Sequence, residues 1–186
     1  MPKIINEDDV FKAVIELLVA RGYDRATTSD LAAAANMHEA TLFRKYGSKV
    51  GLIEQAIEHQ LATTPMSQVS YTGNLRADLM AILEAYVATV AMYGEIMPML
   101  LLEIPRHPEL RETLHAPLAN VQGIMRILER YQAEGLLQNE PPLITVNVLL
   151  APIMVHEMFR RVRADLAAEI DLEGYVDAFL QGRGRG

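Results

Sequence analysis

The 186-residue chain has no cysteine. That excludes disulfides, thiolate nucleophiles and thiolate metal ligands, and it suits a reducing compartment. Long apolar runs are also missing. The longest, Ile96 to Leu102, contains Pro98 and is bounded by Glu95 and Glu103, well short of the roughly 20 apolar residues that cross a bilayer as a helix. The opening residues, MPKIINEDDVF, turn acidic where a secretory signal would enter its apolar segment. A soluble, cytoplasmic protein with no membrane partner is expected. Catalytic signatures are lacking too: there is no Gly-rich phosphate loop, nucleophile elbow or metal-protease motif. Glu112 and His115 form a single Glu-x-x-His, a spacing that di-iron bundles use twice. His107, between Pro105 and Pro108 with Glu103 and Glu109 nearby, reads as a capping residue in a turn. No enzyme activity, metal or cofactor is expected.

What the chain does have is helical periodicity, with no β alternation, and 51% hydrophobic residues for a core. Asn6, followed by Glu7, Asp8 and Asp9, caps a first helix whose apolar stripe is Val10, Phe11, Val14, Leu17 and Leu18, ending at Gly22. Thr27 and Thr28 cap a short helix over 29–35, another covers 39–46, and Ser48 caps a fourth that reaches about 62. A loop over 63–73 precedes an Asn74-capped helix to Tyr93. Gly94 breaks that helix, and a bent apolar one follows to Ile104. The remaining expectations are a long helix over 109–134 closed by Gly135, one from Pro141-Pro142 to about 168, and an amphipathic segment over 172–180 before a frayed Gly-Arg tail. The fold class is all-α, with about nine helices.

The net charge of −7 is unevenly distributed. Residues 1–49 hold seven basic and seven acidic side chains, so residues 50–186 carry all of it. Arg44, Lys45 and Lys49 give the end of the first part a locally basic edge. Because phosphate attraction is screened over roughly 8–10 Å, an acidic body does not prevent such an edge from meeting DNA.

Two short helices joined by a tight turn, the second bearing polar and cationic groups, form the arrangement that reads DNA. Asn36 tolerates the left-handed conformation that such a turn requires. Leu31, Ala32, Ala35, Met37 and Leu42 face inward. Glu39, Ala40, Thr41, Phe43, Arg44 and Lys45 remain on or near the exposed side.

The runs Gly22-Tyr23-Asp24-Arg25-Ala26-Thr27-Thr28-Ser29-Asp30-Leu31-Ala32, Ala40-Thr41-Leu42-Phe43 and Tyr46-Gly47-Ser48-Lys49 together resemble the N-terminal domain of the tetracycline-repressor (TetR) family. The match covers about residues 8–55. It departs from the family pattern at Asn36 (usually Gly), His38 (commonly a capping Ser), Arg44 and Lys45 (often aromatic or His) and Val50 (usually Glu). His38 leaves the cap of the recognition helix weak.

The resemblance implies phosphate contacts from Thr28, Thr41, Lys45 and Lys49. It places Ser29, Glu39, Ala40 and Phe43 nearest base edges, with Arg44 beside them. The chemistry agrees: hydroxyls and ammoniums serve phosphate, a carboxylate accepts from cytosine, and methyls or rings meet the thymine methyl. It further implies a helix-turn-helix domain at 1–47, a connecting helix at 48–63, and a helical effector-binding and dimerisation domain at 64–186. Val146, Leu149, Leu150 and Ile153 suit the dimer interface. Tyr86, Met92, Tyr93, Met97, Met125, Met154, His156 and Phe159 suit an adaptable apolar pocket.

The expected protein is a homodimeric, ligand-responsive transcriptional regulator of double-stranded DNA, a repressor released from a palindromic operator by a small apolar effector. The alternatives are a helical ligand carrier or enzyme with a vestigial helix-turn-helix, and a regulator that answers to a protein partner.

Overall fold

Helix-capping side chains punctuate the chain where the sequence places them. In a computed structural model, described over residues 6–163, 165 and 168–184, the helices are α1 (Glu7–Arg21), α2 (Thr28–Ala34), α3 (Glu39–Tyr46), α4 (Lys49–Ala62), α5 (Leu75–Tyr93), α6 (Ile96–Glu103), α7 (His115–Ala133), α8 (Pro142–Val162) and α9 (Leu172–Arg183). Asn6, Ser48, Asn74 and Asp171 each accept a backbone N–H of the following turn at 3.0–3.1 Å. A cap of this kind contributes about 1 kcal/mol. Among the described residues there is no strand, only an isolated bridge between Leu137 and Gly184.

Packing divides the chain into two compact units. The first contains the described residues through Thr63 together with Glu95–Leu118; the second contains Thr64–Gly94 and the described residues from Ala119 onward. Residues 95–118 therefore cluster with the N-terminal helices, out of chain order. In the first unit α1 packs on α4 and α2, and the 3₁₀ segment Pro108–Leu114 lies against α4. In the second, α5 packs against α8 and α9 around Leu79, Ile82, Leu83, Leu149, Ile153 and Val176, all at 1% exposure or less.

The structure corrects four expectations. Residues 108–114 wind as 3₁₀, so the helix expected over 109–134 begins at His115. The tighter winding brings positions i and i+3 into line, and Leu110 and Thr113 are both buried. The Thr113 hydroxyl donates to the Leu110 carbonyl at 2.6 Å. Helix α8 stops at Val162, six residues before the expected end, and the Arg163 guanidinium turns to Asp165. The tail is tied through Gly184: Gln138 N donates to the Arg183 carbonyl at 2.8 Å, and Arg183 Nε donates to Glu140 Oε1 at 2.9 Å. Arg185 and Gly186 lie outside the described residues. Lastly, α8 has an 18-residue stretch of mean hydropathy 1.5, enough by length and composition to cross a membrane. Its inward face packs in the core of the second unit, which accounts for the apolarity of that face alone.

Candidate nucleic-acid interface

The α2–turn–α3 geometry follows from three local devices. Thr27 and Asp30 form a reciprocal capping box, with Asp30 N donating to Thr27 Oγ1 at 3.1 Å and Thr27 N donating to Asp30 Oδ2 at 3.2 Å. Asn36 takes φ +53°, the only positive φ among described non-glycine residues. Its left-handed turn is fastened by Asn36 N to the Ala33 carbonyl (3.0 Å) and Met37 N to the Ala32 carbonyl (2.9 Å). Leu31 and Leu42 are both fully buried, anchoring the two helices. His38 starts α3 without a side-chain cap.

That anchoring leaves Thr28, Ser29, Glu39, Ala40, Arg44 and Lys45 exposed, with Thr41 and Phe43 half-buried. A shallow cleft at the turn is lined by Ala33, Asn36, Met37, His38 and Thr41. Tyr46, which sequence reasoning left unassigned, is buried edge-on against the Phe11 ring.

The cations are not equally free. Arg44 has no polar partner among the described residues. Lys45 Nζ reaches Glu7 Oε1 at 2.5 Å, each side chain about half exposed. This contact holds the Glu7 carboxyl below its usual value and the Lys45 ammonium above its own. Lys49 turns inward instead: its Nζ donates to the Tyr23 carbonyl at 2.5 Å and lies 3.9 Å from the Tyr23 ring centroid. Burial lowers its pKa. Among the described residues, the basic edge at 44–49 is thus one guanidinium without a partner, one ammonium in a surface ion pair and one folded onto an aromatic ring.

The expected interface residues require a correction. Val146, Leu149, Leu150 and Ile153 are at most 6% exposed within a single chain, because they belong to the core of the second unit. The outward face of α8 is a different stripe, Ile144, Val148, Ala151, Val155, Met158 and Val162. The first four of these line a cleft with Asn147 and Pro152.

The pocket candidates do not gather in that cleft. Met97 belongs to the first unit, and the other seven to the second. Met92 and Phe159 are 58% and 64% exposed in the single chain, so a single chain does not enclose them. Tyr86, Tyr93, Met125, Met154 and His156 are half-buried. Burial alone pushes the Tyr86 hydroxyl up to about 12. His107 does not cap its 3₁₀ segment; its ring faces carboxylates instead.

Fold and face together define a helix-turn-helix protein with a second helical unit. Residues 10–56 match the family "Bacterial regulatory proteins, tetR family", and residues 69–178 match "Tetracyclin repressor-like, C-terminal domain". The chain belongs to the tetR family. It is 34% identical over 112 residues to an uncharacterized HTH-type transcriptional regulator of Mycobacterium bovis, an alignment covering 59% of this chain and 53% of that one. The chain thus spans about half the length of the curated relatives it matches. Among solved structures, the TetR family regulator PfmR of Thermus thermophilus superposes with TM-score 0.72 at 18% identity, covering 97% of this chain and 98% of that one. The flavonoid-responsive regulator FrrA gives TM-score 0.68 at 21% identity, covering 95% and 96%.

Proposed function

We propose that the chain is a DNA-binding transcriptional regulator that acts in the cytoplasm as a homodimer, without catalysis. The observation that carries this reading is the exposed face of α3, where Glu39, Ala40, Arg44 and Lys45 stand clear of a helix pair locked by Leu31, Leu42 and the left-handed Asn36. Glu39 and Ala40 at the helix start are suited to base edges. Thr28, Thr41 and Lys45 are suited to phosphate, with Ser29, Phe43 and Arg44 completing the contact; Lys49 would join them only by leaving the Tyr23 carbonyl and ring.

One short helix reads few base pairs, so two copies related by a twofold would read a palindrome. The outward face of α8 supports a dimer through that helix. Positions 144, 148, 151, 155, 158 and 162 are spaced 4-3-4-3-4, the seam of two packed helices. The proposed response is to a small apolar effector in the second unit, lined by Met125 and Met154 with Tyr86 and His156 as polar handles. Effector binding would favour an arrangement of lower operator affinity. FrrA is named as flavonoid-responsive, which supports a small-molecule response here.

Selection from a random DNA pool, followed by gel shift at moderate salt with and without aromatic and acyl ligands, tests the proposal. A palindromic consensus whose complex dissolves on addition of a ligand supports it. Recovery of no enriched sequence would overturn the regulator reading, and a ligand-insensitive complex would overturn the effector alone.

A further inference from the structure

In the first unit, three side chains that the DNA-reading face does not use converge. Asp24 comes from the turn between α1 and α2, Glu103 from the last residue of α6, and His107 from the segment that follows. His107 Nε2 lies 2.8 Å from Asp24 Oδ1 and 3.9 Å from Glu103 Oε2. One ligand atom from each side chain lies within 4.8 Å of the other two. Glu103 Oε2 and His107 Nε2 are both shielded from solvent, and neither makes a well-directed hydrogen bond among the described residues. The 2.8 Å approach to Asp24 is therefore proximity without the alignment of a hydrogen bond. Two buried polar atoms facing each other unsatisfied are costly, and they are the arrangement a central cation would satisfy.

The surroundings fit the same occupant. Glu109 Oε1 lies 3.6 Å from His107 Nδ1, too long for a hydrogen bond but beside the ring nitrogen that a metal on Nε2 leaves free to meet an outer carboxylate. The Tyr23 hydroxyl donates to that Glu109 oxygen at 3.5 Å, and the Tyr23 ring packs 4.6 Å from the His107 ring. The charged groups acting on one another here are the carboxylates of Asp24, Glu103 and Glu109 and the ammonium of Lys49. With a neutral imidazole, three carboxylates against one ammonium leave two negative charges, which a divalent ion cancels.

We infer that Asp24, Glu103 and His107 form a binding site for a divalent transition cation of the zinc, nickel or manganese class. One imidazole nitrogen and two carboxylate oxygens match the ligand preference of these ions, and the open positions go to water. Bound there, the ion ties the α1–α2 turn to the end of α6. A second cluster, Glu54, Glu112 and His115, likewise offers two carboxylates and an imidazole, but its His115 and Glu112 side chains are 68% and 63% exposed. It serves as an internal control.

The test is titration of the chelator-treated full chain with Zn²⁺ by calorimetry and with Co²⁺ by visible absorption. One saturable site with a histidine-containing Co²⁺ spectrum is expected. His107→Ala should abolish it, and Asp24→Asn should weaken it about tenfold or more. His115→Ala should leave it unchanged. Asp24 is 68% exposed, so its variant keeps the fold and decides the matter even if His107→Ala does not fold. The absence of saturable binding would overturn the proposal. Binding that survives Asp24→Asn but disappears with His115→Ala would overturn it equally, by moving the site to the exposed cluster.

Discussion

Tyr175 of α9 completes the hydrogen bonding that Pro152 removes from α8. Pro152 sits inside the helix and has no N–H, so the Val148 carbonyl four residues earlier loses its helical donor. The Tyr175 hydroxyl donates to that carbonyl at 2.9 Å and also lies 3.1 Å from the Leu149 carbonyl. A proline in mid-helix is thereby tolerated through a neighbour far along the chain. Tyr175→Phe should destabilise the protein by about 1–2 kcal/mol, the cost of leaving a partly buried carbonyl unsatisfied. In the Pro152→Ala background the same change should cost less, because the alanine N–H now serves Val148. Urea midpoints of the two single variants and the double variant give the coupling directly; an additive pair would mean that the hydroxyl does not stand in for the proline.

Asp78 predicts acid sensitivity. It is 2% exposed and accepts from Thr72 N at 2.8 Å and from the Thr72 and Tyr131 hydroxyls at 2.5 Å. Burial pushes its carboxyl up, yet these donors outweigh burial and the net shift is downward. A carboxyl lowered in the folded state stabilises fully above its ordinary pKa, near 4, and loses that contribution as pH falls through the folded value. Asp78→Asn should cost about 1–3 kcal/mol at neutral pH, because an amide cannot accept from all three donors. Below pH 4 the gap between variant and wild type should narrow. Urea midpoints at pH 7 and pH 3 check this, and a constant gap would assign the acid sensitivity to other groups.

Four helix starts were legible because each is written locally, in Asn6, Thr27, Ser48 and Asn74, and these caps bond as read; the start of α7 at His115 has no such local mark and was expected at 109. The turn was legible for the same reason: Asn36 is one of the few residue types that tolerate φ +53°. What escaped was set by contacts distant in sequence. Helical periodicity marks Val146 and Ile153 as one apolar face and Ile144 and Val155 as another; only packing decides which enters the core. The tilt of Lys49 onto Tyr23 and the meeting of Asp24 with His107 join residues 26 and 83 positions apart, and no local pattern announces either. Pro152 within α8 gave no sign of its compensation, because Tyr175 lies on a different helix.

The Glu7–Lys45 pair predicts a competition with DNA. Lys45 must leave Glu7 to reach a phosphate, and a half-exposed, screened pair of this kind contributes at most about 1 kcal/mol. Glu7→Gln should therefore strengthen DNA binding, by no more than about fivefold per bound protomer, at low salt. Lys45→Ala should weaken binding on all sequences and flatten the dependence of log affinity on log salt by about one unit. Fluorescence anisotropy across a salt series measures both. An unchanged slope would remove Lys45 from the phosphate contacts.

The two faces of α8 predict opposite phenotypes. Val155 is 44% exposed and lines the outward cleft, whereas Ile153, two residues earlier, is 1% exposed in the core. A charge at position 155 disturbs little inside a single chain but would be desolvated in a helix–helix seam, so Val155→Glu should yield a folded monomer. Ile153→Ala instead removes buried volume, costing about 2–5 kcal/mol of stability, and leaves the outward stripe intact. Light scattering after size exclusion reports the mass, and circular dichroism reports the fold. A Val155→Glu protein with unchanged dimeric mass would show that the copies meet elsewhere. An Ile153→Ala protein that dissociates without losing stability would return the interface to the inward face.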